Sequence, residues 1–323
     1  MLKPCSEFSK LLEENPIGTA PIWNQCIVIE LPHPWSAKIE ESKYFDSSIF
    51  AYINKLNLSG RSIRLQCILP DQEYSKPNMR RVMLFSKNSK STMSTTRTEY
   101  LIPERSLKDL CVFLLTENQQ EKKYSEYKQH NDSIRDILVC THGNRDRCCG
   151  SIAAPLFKNL RNQYPKPANE SKYVRFWRTS HTGGHRFAPT IIDLPQARYW
   201  AYMDETSIAS ILEKHEPITS LDENYRGCAL LTSVEEQNVE KKLLFEMGWK
   251  WIDMKKQIST VESITKNDHQ IISAFYEEPH LTSIHHVEFL VQHTKSIPTM
   301  NCMKSGNKGL NKKYQVIKNP GSS

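Results

Sequence analysis

The chain has 323 residues, 38% hydrophobic and 24% charged, with 43 Lys+Arg against 36 Asp+Glu for a net charge of +7. That length corresponds to about two domains of roughly 150 residues, and the apolar content is too high for a disordered chain. The charge excess is too mild to make nucleic acid the default partner, and no window approaches the roughly 18 apolar residues of a membrane span. Met1-Leu-Lys-Pro-Cys-Ser opens no signal peptide, so a soluble cytoplasmic protein is expected.

Cys26 to Leu31 is short, β-branched and stopped by Pro32, which predicts a strand. Helical spacing of apolar positions follows over Tyr44 to Leu56. Ser62 to Leu69, Arg81 to Phe85 and Thr98 to Ile102 read as three further strands, and Leu107 to Leu115 as a helix. This N-terminal α/β unit is assigned to 1–118. Glu117 to Asp132 holds no aliphatic residue, so a polar linker is expected at 119–133, or else a solvated helix.

A second unit follows at 134–216. Ile134 to Val139 is a buried strand, and Ser151 to Asn162 a helix that Ser151 can cap. Tyr173 to Trp177 is a strand, Thr190 to Leu194 and Ala197 to Tyr202 form a hairpin, and Ser207 to His215 closes as a helix. The order β-α-β-β-β-α resembles a thioredoxin-type layer. Over 217–302, Ser233 to Met247 reads as an amphipathic helix, with strands at Gly248 to Ile252, Gln270 to Tyr276 and Val287 to Gln292. Residues 303–323 have little apolar content and several lysines, which predicts a basic disordered tail. The expected class is α/β, with α+β as the alternative, and no repeat of 20–50 residues is visible in the sequence.

Nine cysteines, an odd number, argue against a disulfide framework in a chain without a signal peptide. Cys5, Cys26, Cys67, Cys111, Cys228 and Cys302 are scattered singly, and those in apolar runs, such as Cys26 and Cys67, read as small buried hydrophobes. Only Cys140, Cys148 and Cys149 cluster, in Cys140-Thr-His-Gly-Asn-Arg-Asp-Arg-Cys-Cys-Gly150 between a strand and a helix. A second segment, Ser180-His-Thr-Gly-Gly-His-Arg-Phe-Ala-Pro189, follows a strand. Gly183 and Gly184 each cost about 1 kcal/mol in a helix, so a tight loop is expected there, with His181 and His185 facing one object.

Two thiolates and two imidazoles suit a soft or borderline metal. Zinc accepts Cys₂His₂, but the long spacing from Cys140 to Cys149 is not that of a structural finger. A [2Fe–2S] cluster is wider, and takes one ligand pair on each iron. A Rieske arrangement is rejected, because no Cys-x-x-His half accompanies Cys140-Thr141-His142. Thiol–disulfide exchange normally uses Cys-x-x-Cys, which is absent, leaving the vicinal pair Cys148-Cys149 as a strained substitute.

The two segments resemble the signatures of the sucrase/ferredoxin-like family, as do Gly18-Thr19-Ala20-Pro21, Pro32-His33-Pro34-Trp35 and Tyr225-Arg226-Gly227. The resemblance covers most of residues 5–302. It implies a thioredoxin-like ferredoxin domain at 134–216, flanked by the N-terminal α/β unit and the C-terminal helix-and-strand region. It also implies a [2Fe–2S] cluster on Cys140, Cys149, His181 and His185, with Cys148 a neighbour without a ligand counterpart. His142 is the rival ligand; Arg145, Arg147 and Arg186 flank the ligands, and Trp177 and Phe187 either shield the site or are plain core.

With two neutral imidazoles replacing two thiolates, the reduction potential should lie above that of an all-cysteine ferredoxin. Each ligating imidazole retains an N–H, so electron uptake should be coupled to proton uptake. The expectation is a one-electron carrier serving redox partner proteins, rather than an enzyme with its own substrate. The alternatives are a zinc-stabilised Cys₂His₂ binding module and a thiol-based oxidoreductase. His280, His285 and His286 read as surface histidines.

Overall fold

The computed structural model describes residues 5–88, 93–116, 121–130, 133–165, 173–264, 269–277, 283–299 and 309–319. After a leading helix α1 (Cys5–Leu11), the N-terminal half runs β1 (Gln25–Glu30), α2 (Ser47–Leu58), β2 (Ile63–Ile68), β3 (Met79–Lys87), β4 (Thr95–Pro103) and α3 (Leu107–Leu114). β2 is parallel to β1, β3 antiparallel to β1, and β4 antiparallel to β3.

The next half runs β6 (Arg135–Cys140), α4 (Arg147–Gln163), β7 (Val174–Thr179), β8 (Ile191–Leu194), β9 (Arg198–Trp200) and α5 (Glu205–Glu213). Its pairings repeat those of the first half: β7 parallel to β6, β8 antiparallel to β6, and β9 antiparallel to β8. Each half gains one antiparallel edge strand, β5 (Lys128–Gln129) on β4 and β10 (Tyr225–Cys228) on β9. The result is one mixed ten-stranded sheet, β10-β9-β8-β6-β7-β2-β1-β3-β4-β5, whose topology is duplicated without a matching repeat in the sequence.

The halves join where β2 and β7 pair at Ile68 and Thr179, the C-terminal end of each strand. Gln66 and Ser180 fasten this seam: the Gln66 amide donates to Thr179 Oγ1 at 2.8 Å and Ser180 O at 2.6 Å, and Ser180 N donates to Cys67 O at 2.8 Å. β1 is buried on both faces, which explains its unbroken apolar run. Cys26 and Val28 enter the core shared with β6 and β7, whereas Ile27 and Ile29 pack with residues of α2 and α3.

A buried ion-pair network also crosses the junction. Arg175 Nε donates to Asp136 Oδ1 at 2.7 Å, and its terminal nitrogens donate to Glu99 at 3.0 Å. Arg81 and Arg97 pair with Glu99 as well. Burial raises the Glu99 pKa, but the three guanidiniums outweigh it and bring it down to about 2. Trp177 donates to Asp136 at 2.7 Å inside this network, so it is core rather than a cover for the site.

Four expectations are corrected. For 119–133 the solvated helix is nearer than the linker: the region holds a 3-10 stretch at Glu121–Tyr127 and then β5, with buried Tyr124 as its apolar anchor. α4 starts at Arg147 rather than Ser151: Asp146 caps it, accepting from Cys148 N at 2.9 Å. Helix α6 (Val234–Met247), capped by Ser233, ends at Gly248, and the expected strand after it is instead the short helix α7 (Lys250–Asp253) around buried Trp251.

The fourth correction concerns the tail. β11 (Lys256–Ile264), β12 (His269–Glu277), β13 (Ile284–Thr299) and β14 (Gly309–Lys318) form a separate four-stranded antiparallel sheet. Thus 309–318, expected to be disordered, is a strand. Composition hid the pattern, in which Tyr314 and Val316 share a strand face and pack on the core while Gln315 and Ile317 are exposed.

Candidate metal centre

Cys140 ends β6 with its side chain buried, and its N–H donates to Thr190 O at 3.0 Å. The chain then doubles back onto α4: Asp146 N donates to His142 O at 3.1 Å, and Cys148 and Cys149 occupy the first helical turn. This return solves the long cysteine spacing. The two sequence-distant thiols become neighbours because Gly143 and Gly150 carry no side chains where the loop meets the helix.

His181 lies just beyond β7, after Ser180, and His185 opens a 3-10 turn at His185–Phe187. Gly183 and Gly184 between them have φ of +80° and +68°, a backbone region that favours glycine. The two imidazoles stack with centroids 6.0 Å apart at 29°. The ligand atoms of Cys140, Cys149 and His181 lie within 4.8 Å of one another, a group able to hold a metal ion, and His185 stands outside that group. His181 Nδ1 is buried without a hydrogen-bond partner, whereas His185 Nδ1 faces Asp146 Oδ2 at 3.4 Å.

The cysteine pair is asymmetric. A hydrogen bond from Cys149 holds the Cys140 thiol well below its usual range against the cost of burial, with His181 and the Thr182 amide helping. Cys149, sharing that bond and buried beside the charge on Cys140, is pushed up. The shared bond favours the deprotonated form on Cys140, and both sulfurs must be thiolates to ligate a metal.

His142 is not free to ligate. Its Nδ1 accepts from His181 N at 3.3 Å, which leaves Nε2 to donate to Ser36 O at 2.8 Å. It packs against Trp35 and fixes the start of the histidine loop from beneath. Arg145 and Arg147 are exposed, whereas Arg186 donates to buried Glu14 at 2.9 Å. Phe187 is buried under the loop, with the Arg186 and Arg226 guanidiniums over its ring.

Cys148 points elsewhere. With Cys5 and Asp146 it forms a second buried group whose ligand atoms could hold an ion, and Cys5 Sγ lies 3.4 Å from its sulfur. His285 and His286 stack on Tyr276 and Phe275 in the second sheet, and His280 and Cys302 fall outside the described residues.

Arg226 lies in a segment that carries the family resemblance, but its role at the site is not announced by the sequence. Almost fully buried, it donates to Gly183 O at 3.1 Å, Thr19 O at 2.6 Å and Thr19 Oγ1 at 3.1 Å. A Cβ on Gly184 would lie 2.8 Å from its guanidinium. The Gly18-Thr19 and Arg226-Gly227 segments, distant in sequence, thus form the bed of the histidine loop. Burial lowers the Arg226 pKa to about 10, so it remains charged at neutral pH.

Fold and site define a mixed α/β protein with a buried Cys/His group able to hold a metal. The profile of the Sucrase/ferredoxin-like family matches residues 16–227, and the chain belongs to that family. Over 107 residues it is 29% identical to altered inheritance of mitochondria protein 32 of Meyerozyma guilliermondii, a match covering 32% of this chain and 38% of that relative. No solved structure matches the chain. Among the described residues, no helix is long and apolar enough to cross a membrane.

Proposed function

We propose that the protein is a one-electron carrier whose [2Fe–2S] cluster is held by Cys140, Cys149, His181 and His185. One observation carries the reading. Three of the four donors converge within 4.8 Å while His185, stacked on His181, stands outside them. Two thiols and two imidazoles gathered in this way suit a binuclear centre with a thiolate pair on one iron and an imidazole pair on the other. The orphaned His181 Nδ1 and a Cys140 thiol held well below its usual range fit such a group. When bound, it would supply one-electron chemistry.

A thioredoxin-like arrangement of the second half supports the reading. The parallel pair β6 and β7, with β8 and β9 stacked antiparallel beyond β6, has that layer's strand order. Cys140 and Cys149 sit at its first strand–helix junction. Family membership implies a ferredoxin-like cluster and points the same way.

The chain's own residues would couple the electron to a proton. A ligating imidazole bound through one nitrogen keeps a proton on the other, and Asp146 faces that position on His185. Reduction makes the imidazoles more basic, so the potential should fall as pH rises; a potential independent of pH would sink this part. Redox partner proteins are the proposed partners. Thiol exchange is a second reading, favoured by the close sulfurs of Cys5 and Cys148. Cys148→Ser separates the two, since it should leave the spectrum of a Cys140/Cys149 cluster in place. The test of the main reading is the electron paramagnetic resonance spectrum of the reduced protein. His181→Cys and His185→Cys should retain a cluster at lowered potential, and a spectrum and potential unchanged by either would remove those ligands.

A further inference from the structure

A groove of about 590 Å³ opens beside His181. Its walls come from the N-terminal half: Phe50, Asn54 and Asn57 of α2, Arg61 after it, and Arg64 of β2. Arg64 donates to His181 O at 3.2 Å, so the groove and the histidine loop are one piece. Cys140 and Cys149 are buried, whereas His181 and His185 are both partly exposed, and the groove opens against His181.

The charge of the groove is one-sided. Arg61 donates to Leu115 O and Gln25 Oε1, and Arg64 to His181 O, all neutral acceptors. Among the described residues, no carboxylate pairs with either guanidinium, and none lines the groove. Arg64 Nε is buried without a hydrogen-bond partner. Ile22, 41% exposed, adds an apolar rim. Guanidinium groups beside exposed apolar surface are the composition of a protein docking site, and their sign selects the partner.

We propose that this groove docks a carboxylate-bearing surface of a one-electron redox protein, with His181 as the point of electron exit. The inference rests on the electron-carrier reading and gives the N-terminal half a purpose: it builds the dock. One electron leaves the reduced protein and the acidic partner is reduced by it, with no bond made or broken.

Two anionic probes test it on the full chain. Hexacyanochromate(III) is a redox-inert paramagnetic anion that broadens the amide signals it approaches. Broadening should centre on Asn54, Arg61 to Leu65 and His181, and should weaken in Asn54→Glu and at high salt. Ferricyanide should oxidise the reduced protein roughly three- to tenfold more slowly in Asn54→Glu. Cationic hexaammineruthenium(III) should not be slowed, and the visible spectrum should not change. Broadening centred elsewhere, or a ferricyanide rate indifferent to Asn54→Glu, overturns the dock. A chain without visible absorption fails the electron-carrier reading itself, and the hexacyanochromate map, which needs no cluster, still decides whether the groove selects anions. Arg61→Gln is a second variant of the same sign, should Asn54→Glu fail to fold.

Discussion

A Cβ on Gly150 would stand 2.7 Å from Gly143 Cα, closer than real Cβ atoms approach backbone. This glycine pair lets the loop after Cys140 close onto the first turn of α4, and thereby sets the distance between Cys140 and Cys149. In an ordinary helix, Gly→Ala stabilises by about 1 kcal/mol. Here Gly150→Ala should destabilise by about 1–3 kcal/mol, because the loop must be pushed off the helix. Urea unfolding gives the sign, and iron bound per chain should drop with it; a stabilised variant with full iron would contradict the close approach.

Glu99 predicts the behaviour in acid. Its folded pKa of about 2 lies below the ordinary glutamate value of 4.5, so the unfolded chain binds the proton more tightly. Its contribution is fully present above about pH 4.5 and is lost as pH falls through about 2, on the order of 3 kcal/mol in all. Glu99→Gln removes a carboxylate that faces three guanidiniums, and should cost about 3–5 kcal/mol at neutral pH. Stability measured from pH 7 to pH 2 should show wild type losing this margin in acid and the variant having less to lose. Parallel curves would refute the assignment.

Arg226 should act on metal retention more than on folding. Arg226→Lys keeps the charge but loses the forked contact with Thr19 O and Gly183 O. Removal of the metal by a chelator should be about 10–100-fold faster, as for other groups that orient ligands. An unchanged release rate would show that the Gly183-Gly184 loop holds itself.

His142 and His181 should separate cleanly. His142→Phe leaves all four proposed ligands in place, so the visible absorption should persist with a modest shift as the His181 backbone loses its acceptor. His181→Ala should bleach it or leave it unstable. The reverse result would make His142 the ligand.

Much of the architecture was legible because strong local signals agreed with the tertiary outcome. The β-branched run at Cys26 to Leu31 became β1, and the Ser233 cap opened α6 as its sequence suggests. The start of α4 was misplaced because Ser151 also suits a cap, whereas in the fold Asp146 accepts from Cys148 N and Ser151 lies inside the helix. Arg226 was invisible as a site residue because an arginine in sequence reads as surface. Its burial depends on Thr19, over 200 positions away, and on a loop carbonyl that no side-chain pattern announces. Tyr314 and Val316 were lost among lysines because composition averages away the period of two.

The most direct test is the visible spectrum of the purified full chain, taken with its iron and acid-labile sulfide content. The account predicts a red-brown protein with iron and acid-labile sulfide in equal amounts, both lost in a Cys140→Ser, Cys149→Ser double variant. A colourless protein that holds zinc at those cysteines, or no metal at all, would contradict it.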